Sequence, residues 1–233
     1  MAWGIKDKYT VTLSLEDQEI PEISKLSIEE YIDLRLPTMV AGFSLNKESD
    51  LDLLTEGKSI ILRIGSKHEE KVYKFSIASA RIHPQKQLYD VEVAAISNPS
   101  FNTRSRARSI KGSSVDVLKS VLGEYFQIVR SDAQTDDKMV WIQTALDTDR
   151  SFALRVLQHS FVPGDDALFV AIGASGEAMI TTFKKLSQEK PLRAGISEDA
   201  DLVLQPDLVY KSAIASYVSS AAYLQMDLLS GES

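Results

Sequence analysis

The sequence predicts an α+β chain that is mainly β, with a small N-terminal β-barrel followed by a compact α+β unit. Three observations carry this. Up to Ile96, short alternating or apolar runs recur between turn signals, as in barrels and sandwiches of short strands. From Ser113 onward, apolar stripes at helical spacing stand among further short strands. Between the two, Asn98 to Ser114 is polar and carries no hydrophobic period.

Taken in order, Tyr9, Val11, Leu13 and Leu15 alternate with Thr10, Thr12 and Ser14, the period of a half-buried strand. Ser27-Ile28-Glu29-Glu30 has the form of a capping box, which favours a helix start. Ile32, Leu34 and Leu36 alternate with Asp33 and Arg35 and favour a strand running into Pro37; we read a strand there. Lys58 to Ile64, closed by Gly65, is a further strand. Val72 to Ile77 and Leu88 to Ile96 form an antiparallel hairpin about the turn at His83-Pro84-Gln85-Lys86.

The polar stretch, with Arg104, Arg106 and Arg108, reads as a linker or long loop, so a domain boundary is expected near it. A helix capped by Ser113 or Ser114 follows, with Val115, Leu118, Val121 and Leu122 on one stripe and Gly123 at its end. Phe126 to Val129 and Met139 to Ile142 read as strands on either side of an acidic turn. Thr148 or Asp149 caps a second helix carrying Phe152, Val156 and Leu157. Ala167 to Ile172 and Ala178 to Phe183 make a hairpin about Gly173-Ala174-Ser175-Gly176-Glu177. Lys184 to Asp207 reads as a linker, and Val209 to Leu229 fits either a helix or paired strands.

Composition narrows the chemistry. Of 233 residues 44% are hydrophobic and 25% charged, as in an ordinary folded chain, so a proper core is within reach. The net charge of -7 gives no electrostatic reason to coat nucleic acid. There is no cysteine, which excludes disulfides, thiolate metal sites and cysteine nucleophiles. Met1 to Lys8 lacks the apolar core of a signal peptide, and no window reaches the roughly 18–20 apolar residues a membrane span needs. The expectation is a chain made in the cytoplasm.

No motif calls for catalysis or a cofactor. His68, His83 and His159 lack the spacing of a zinc site and read as surface positions. Asp132, Asp136 and Asp137 lack the glycine and terminal glutamate of a calcium loop and read as a solvated turn, as do Asp165 and Asp166. Gly173 to Gly176 has no following Lys-Ser/Thr pair and no nucleophile-elbow spacing, so it reads as a turn. Arg104, Arg106 and Arg108 alternate with small residues. In a strand they would face one side and could meet phosphates or carboxylates, but a solvated loop or subunit contact is the expected reading.

The α+β unit carries a resemblance. Ser114-Val115-Asp116-Val117-Leu118-Lys119-Ser120-Val121-Leu122-Gly123 precedes Met139-Val140-Trp141-Ile142-Gln143, then Thr148-Asp149-Arg150-Ser151-Phe152-Ala153-Leu154-Arg155-Val156-Leu157, then the hairpin from Ala167. This resembles the baseplate hub proteins of contractile tails: the phage late-control family and the trimeric spike hub of type VI secretion. The resemblance runs over about residues 5–185, with short, mostly apolar motifs. It implies a hub barrel at 1–103, an α+β hub domain of the tail-hub type at 104–185, and a linker and C-terminal segment at 186–233. Trp141, Gln143, Thr148, Asp149, Phe152 and Leu157 are then structural motif residues.

It further implies a homotrimeric, non-enzymatic subunit in the baseplate of a virion tail. Its partners would be spike, tail-tube and wedge proteins, with no cofactor, no stable nucleic-acid binding and no membrane insertion. Larger hubs carry a second barrel after the α+β unit, whereas 48 residues follow Lys185 here. Either Leu202 to Leu229 help build a reduced one, or another protein supplies it. Two rival readings stand beside the hub. One is a tail-associated module, an enzyme for which no constellation is visible or a glycan binder using Tyr210, Tyr217 and Tyr223; the other is a tail-tube or completion subunit.

Overall fold

The computed structural model describes residues 10–16, 18–65, 70–85, 88–164 and 166–188, of which those up to Phe183 belong to one compact unit. That unit has two hydrophobic cores. The first lies inside a seven-stranded antiparallel sheet: β1 (Thr10–Leu15), β2 (Gln18–Ile20), β3 (Ile23–Glu29), β4 (Thr38–Leu45), β5 (Ser59–Gly65), β6 (Glu70–Pro84) and β7 (Tyr89–Ile96). Their spatial order is β2-β1-β5-β6-β7-β4-β3.

Connectivity explains why this sheet curls. A flat seven-stranded sheet would hold its edges about 29 Å apart at ordinary strand spacing. Yet the edge strands β2 and β3 are joined by Pro21 and Glu22 alone, so the sheet must bend until its edges meet at that corner. The barrel expected from sequence is a curled half-barrel, and the class is mainly β. The long strand β6 makes a second bend: it pairs with β5 from Glu70 to Ser76 and with β7 from Ser76 to Pro84, its register shifting between Ile77 and Ser79. Alternation puts Leu13, Leu15, Phe43, Leu62, Phe75 and Val93 on the concave side, all nearly inaccessible.

Residues 27–36 correct the sequence reading. Ser27, Ile28 and Glu29 end β3 and start no helix. The alternating Ile32, Leu34 and Leu36 form no regular strand. Leu34 has φ of 64°, a left-handed backbone that breaks a ladder. The arm pairs with the second half through isolated bridges, Tyr31 to Ile172 and Asp33 to Val170, in place of a continuous ladder. Leu34 donates its N–H to the Val170 carbonyl at 3.2 Å, and Leu34 and Leu36 are buried in the second core. The alternation is real, but it serves the neighbouring core.

The second half comprises α1 (Ser100–Thr103), β8 (Arg108–Gly112), α2 (Ser114–Leu122), β9 (Ile128–Ser131), β10 (Met139–Gln143), α3 (Asp149–Gln158), β11 (Leu168–Ile172) and β12 (Glu177–Thr182). β10 and β8 form an antiparallel ribbon; β11 and β12 form the expected hairpin, with β9 added parallel to β12. The stretch 98–114 is therefore not a linker, since it holds α1 and β8. Phe183–Gln188 is a short helix, α4, where the C-terminal linker was expected to begin. Residues 189–233, with Tyr210, Tyr217 and Tyr223, lie outside the described residues, as does His68. Among the described residues no helix is long and apolar enough to cross a membrane.

α2 shows how local sequence sets an element. Ser113 accepts from the Asp116 amide, and the Ser113 amide donates back to Asp116, a full capping box. Asp137 accepts from the Ser114 amide at 2.9 Å and from its hydroxyl at 2.7 Å, and Thr135 accepts from the Val115 amide. All three leading amides of the helix thus have partners. The expected solvated turn at Asp132–Asp137 is corrected here: Asp137 is buried and also accepts from the Phe161 amide at 2.9 Å.

Candidate functional site

The densest polar construction in the described residues surrounds Asp149. Thr148 caps α3, accepting from the Ser151 amide at 3.1 Å, which frees Asp149 at the first helical position for another task. Its backbone N–H donates to the Arg104 carbonyl at 2.9 Å, and its side chain is fully inaccessible.

Five donors converge on that carboxylate. Arg106 contributes Nε to Oδ1 at 3.2 Å and Nη2 to Oδ2 at 2.7 Å. Arg108 gives Nη2 to Oδ1 at 3.1 Å, Gln143 gives Nε2 to Oδ1 at 2.8 Å, and the Tyr125 hydroxyl donates to Oδ2. Glu124, just beyond the end of α2, accepts from Arg106 and from Arg108 Nη1, the latter at 2.6 Å. Gln143 closes the knot by accepting from Arg108 Nε at 2.7 Å and donating to the Asp147 carbonyl at 3.1 Å.

Three guanidinium and two carboxylate groups therefore meet in one cluster: Arg106 and Arg108 each reach both Asp149 and Glu124, and Arg104 lies 3.9 Å from Glu124 at the more exposed rim. Its members tie β8, β10, the end of α2 and the start of α3 together. The Arg108 guanidinium also lies 5.6 Å from the centre of the buried Phe152 ring, so the ionic knot sits against the apolar core.

Electrostatics follow from this geometry. Burial alone pushes the Asp149 carboxyl up, but the bonds from Arg106, Tyr125 and Gln143 and the charge of Arg108 outweigh it. They hold the group at about 2. The bond to Asp149 raises Arg106 above its ordinary value, and burial followed by the bond to Asp149 raises Tyr125. A carboxylate saturated in this way is a fixed charge, and its oxygens are already committed. What the arrangement does chemically is clamp backbone segments far apart in the sequence.

Of the sequence-predicted motif residues, the structure places Gln143 and Asp149 inside the knot and Thr148 beside it as the cap. Phe152 and Leu157 pack on the second core, Phe152 fully buried and Leu157 partly. Trp141 lies on the same face of β10 as Gln143 and donates Nε1 to the Gly112 carbonyl at 3.2 Å. Arg106, Arg108, Glu124 and Tyr125 were not singled out as partners of Asp149. The solvated-loop reading of the arginines is overturned for Arg106 and Arg108. The one available signal was their alternation with small residues, which fits β8. His83 and His159 are exposed, as expected. Among the described residues no group of three or more acidic or histidine side chains could hold a metal.

No family model matches the sequence, and no curated protein matches it either. Solved structures do match. A 43 kDa tail protein of prophage MuSo2 from Shewanella oneidensis superimposes with a TM-score of 0.55 at 10% identity, covering 75% of this chain and 53% of that one. A tail protein from Neisseria meningitidis gives 0.48 at 12% identity over 74% and 50% of the two chains. An Escherichia coli component of the type VI secretion system gives 0.45 at 11% identity over 74% and 52%. The chain spans about half the length of these structures. At such identity the likeness concerns architecture alone: the curled half-barrel with its helix-and-ribbon companion is a fold shared with the MuSo2 tail protein over 75% of this chain.

Proposed function

We propose that this chain is a structural, non-enzymatic subunit of a contractile phage-type tail. It sits at the baseplate as a hub and forms a three-fold ring between tail tube and central spike, with wedge proteins outside. The observation that carries the reading is the fold shared with the prophage tail protein over 75% of this chain. The motif run from Ser114 to Leu157, whose Gln143 and Asp149 belong to the buried knot, supports it. In this reading 1–103 and 104–185 act as two hub domains held as one rigid body, with 186–233 contributing to a ring neighbour or a second barrel.

The mechanism is mechanical. A hub must transmit load without yielding when the sheath contracts, and the knot stiffens the α+β half by joining four segments around the buried Asp149 carboxylate. Large obligate interfaces between copies would hold the ring. The acidic balance of -7 suits a channel that passes DNA without holding it.

Electron microscopy of the purified oligomer tests the reading. Three-fold class averages with a central opening support a hub. Six-fold rings indicate a tube-type subunit, and particles with no ring when a candidate spike protein is co-expressed contradict the proposal.

A further inference from the structure

Two surface patches of the compact unit are opposite in character. The first is the outer face of the β8–β10 ribbon. Alternation turns Trp141 and Gln143 inward and leaves Val140 and Ile142 56% and 63% exposed. Their cross-strand partners, Lys111 and Ser109, are exposed beside them, and Lys138, one residue before β10, falls on the same side. Just past β10, Leu146 is 93% exposed. Neither Lys111 nor Lys138 has a carboxylate partner among the described residues.

The turn that carries Leu146 is braced. Asp147 Oδ2 accepts from the Thr144 amide at 3.0 Å, from its hydroxyl at 2.9 Å and from Arg155 at 3.1 Å. Gln143 donates to the Asp147 carbonyl at 3.1 Å, which ties the turn to the buried knot. Single exposed apolar residues are ordinary. A leucine held out on a fixed turn, close in sequence to two more apolar side chains, is a preformed knob, and docking it orders little.

The second patch is the corner where β2 turns into β3. Val11, Ile20, Pro21, Ile23 and Leu26 line a groove of about 420 Å³ there, together with Glu19. Val11 is 46% exposed. Glu19 and Glu22 are exposed, and neither pairs with a cation among the described residues. Lys25, which also lines the groove, is already answered by Glu92 at 3.6 Å. An apolar groove with two unanswered acids is the counterpart of an apolar knob with two unanswered lysines.

Three facts name the occupant as a second copy. Leu146 stands exposed, so its own chain's corner does not receive it. The two patches differ in sign, so copies attract knob to groove and repel knob to knob. A contact between two different patches of one chain is also head-to-tail, the kind that closes into a ring. We propose that the β8–β10 face and Leu146 of one copy seat in the β2–β3 corner of the next. This rests on the hub reading, to which it supplies the contact between ring neighbours.

The chain has no cysteine, so introduced ones report without background. Full chains carrying Leu146→Cys and Val11→Cys, both at exposed positions, are made separately and mixed under a mild oxidant. The mixture should give a disulfide-linked pair, and neither chain alone should. A Leu146→Cys chain that links to itself would reveal a symmetric knob-to-knob contact and overturns the proposal, as does a mixture that does not link. Charge reversal, followed by sedimentation, checks the same contact. Lys111→Glu with Lys138→Glu, or Glu19→Lys with Glu22→Lys, should weaken self-association at least about tenfold, and all four reversals in one chain should restore it. Reversals that leave association unchanged overturn the proposal. A wild-type trimer whose variants do not link sinks this contact and spares the hub. A six-membered ring whose variants do link keeps the contact and sinks the hub.

Discussion

Arg106 grips Asp149 with two parallel hydrogen bonds, Nε to Oδ1 at 3.2 Å and Nη2 to Oδ2 at 2.7 Å, across 43 residues of chain. The pair joins the segment leading into β8 to the first turn of α3. Arg108, Glu124 and, at 3.9 Å from Glu124, Arg104 make it a five-charge cluster.

Removing Asp149 leaves two partly buried guanidinium groups without their main partner. Asp149→Asn should cost about 3 kcal/mol of unfolding free energy, since Arg106 and Arg108 then have only Glu124, which Arg104 also approaches. Urea denaturation measures this. A double-mutant cycle with Arg106→Met should return a coupling above about 1 kcal/mol. A coupling near zero would show that the pair contributes no more than an exposed ion pair.

Acid should weaken the fold through the same carboxylate. Its folded value is about 2 against an ordinary 3.8, so the unfolded chain binds the proton more readily. The stabilisation is fully present above pH 4 and is lost as pH falls toward 2, by about 2 kcal/mol. Asp137 is also held below the ordinary range and acts in the same direction. There burial pushes upward and the bonds from Ser114 and the Phe161 amide prevail. Tm measured from pH 5 to pH 2 should fall, and Asp149→Asn should flatten part of that slope.

The caps should separate by burial. Thr148→Ala removes an exposed cap and should cost about 1 kcal/mol. Asp137→Ala strands the Ser114 and Phe161 amides inside and should cost about 2 kcal/mol or more. Equal effects in thermal unfolding would mean that water replaces Asp137.

Leu34 is fully buried in the second core although the strands on either side of its arm, β3 and β4, belong to the first half. Leu34→Ala should cost about 3 kcal/mol through the cavity it leaves. Hydrogen exchange should rise at Val170 and Ile172, whose strand borders the arm. Faster exchange confined to the half-barrel would contradict that placement.

Legibility tracked how local each signal was. β1, β5, the β6–β7 hairpin, α2, α3 and the β11–β12 hairpin each carry their own period and their own turn or cap, so residues a few positions apart suffice. The knot was half legible. Gln143, Thr148 and Asp149 stood out through a motif, whereas Arg106 and Arg108 looked like a solvated run because their carboxylates lie 16 to 43 residues away. Only Ile110 in β8 is a large apolar residue, so no hydrophobic period announced that strand. In residues 31–36 the period was visible, but it could not say which core would take Leu34 and Leu36.

Sedimentation equilibrium of the purified full chain, across a wide concentration range, tests the hub assignment most directly. The account predicts a species near 77 kDa, three times the 25.8 kDa of one chain. A hexamer, or a monomer that persists at every concentration and in the presence of a candidate spike protein, would contradict it.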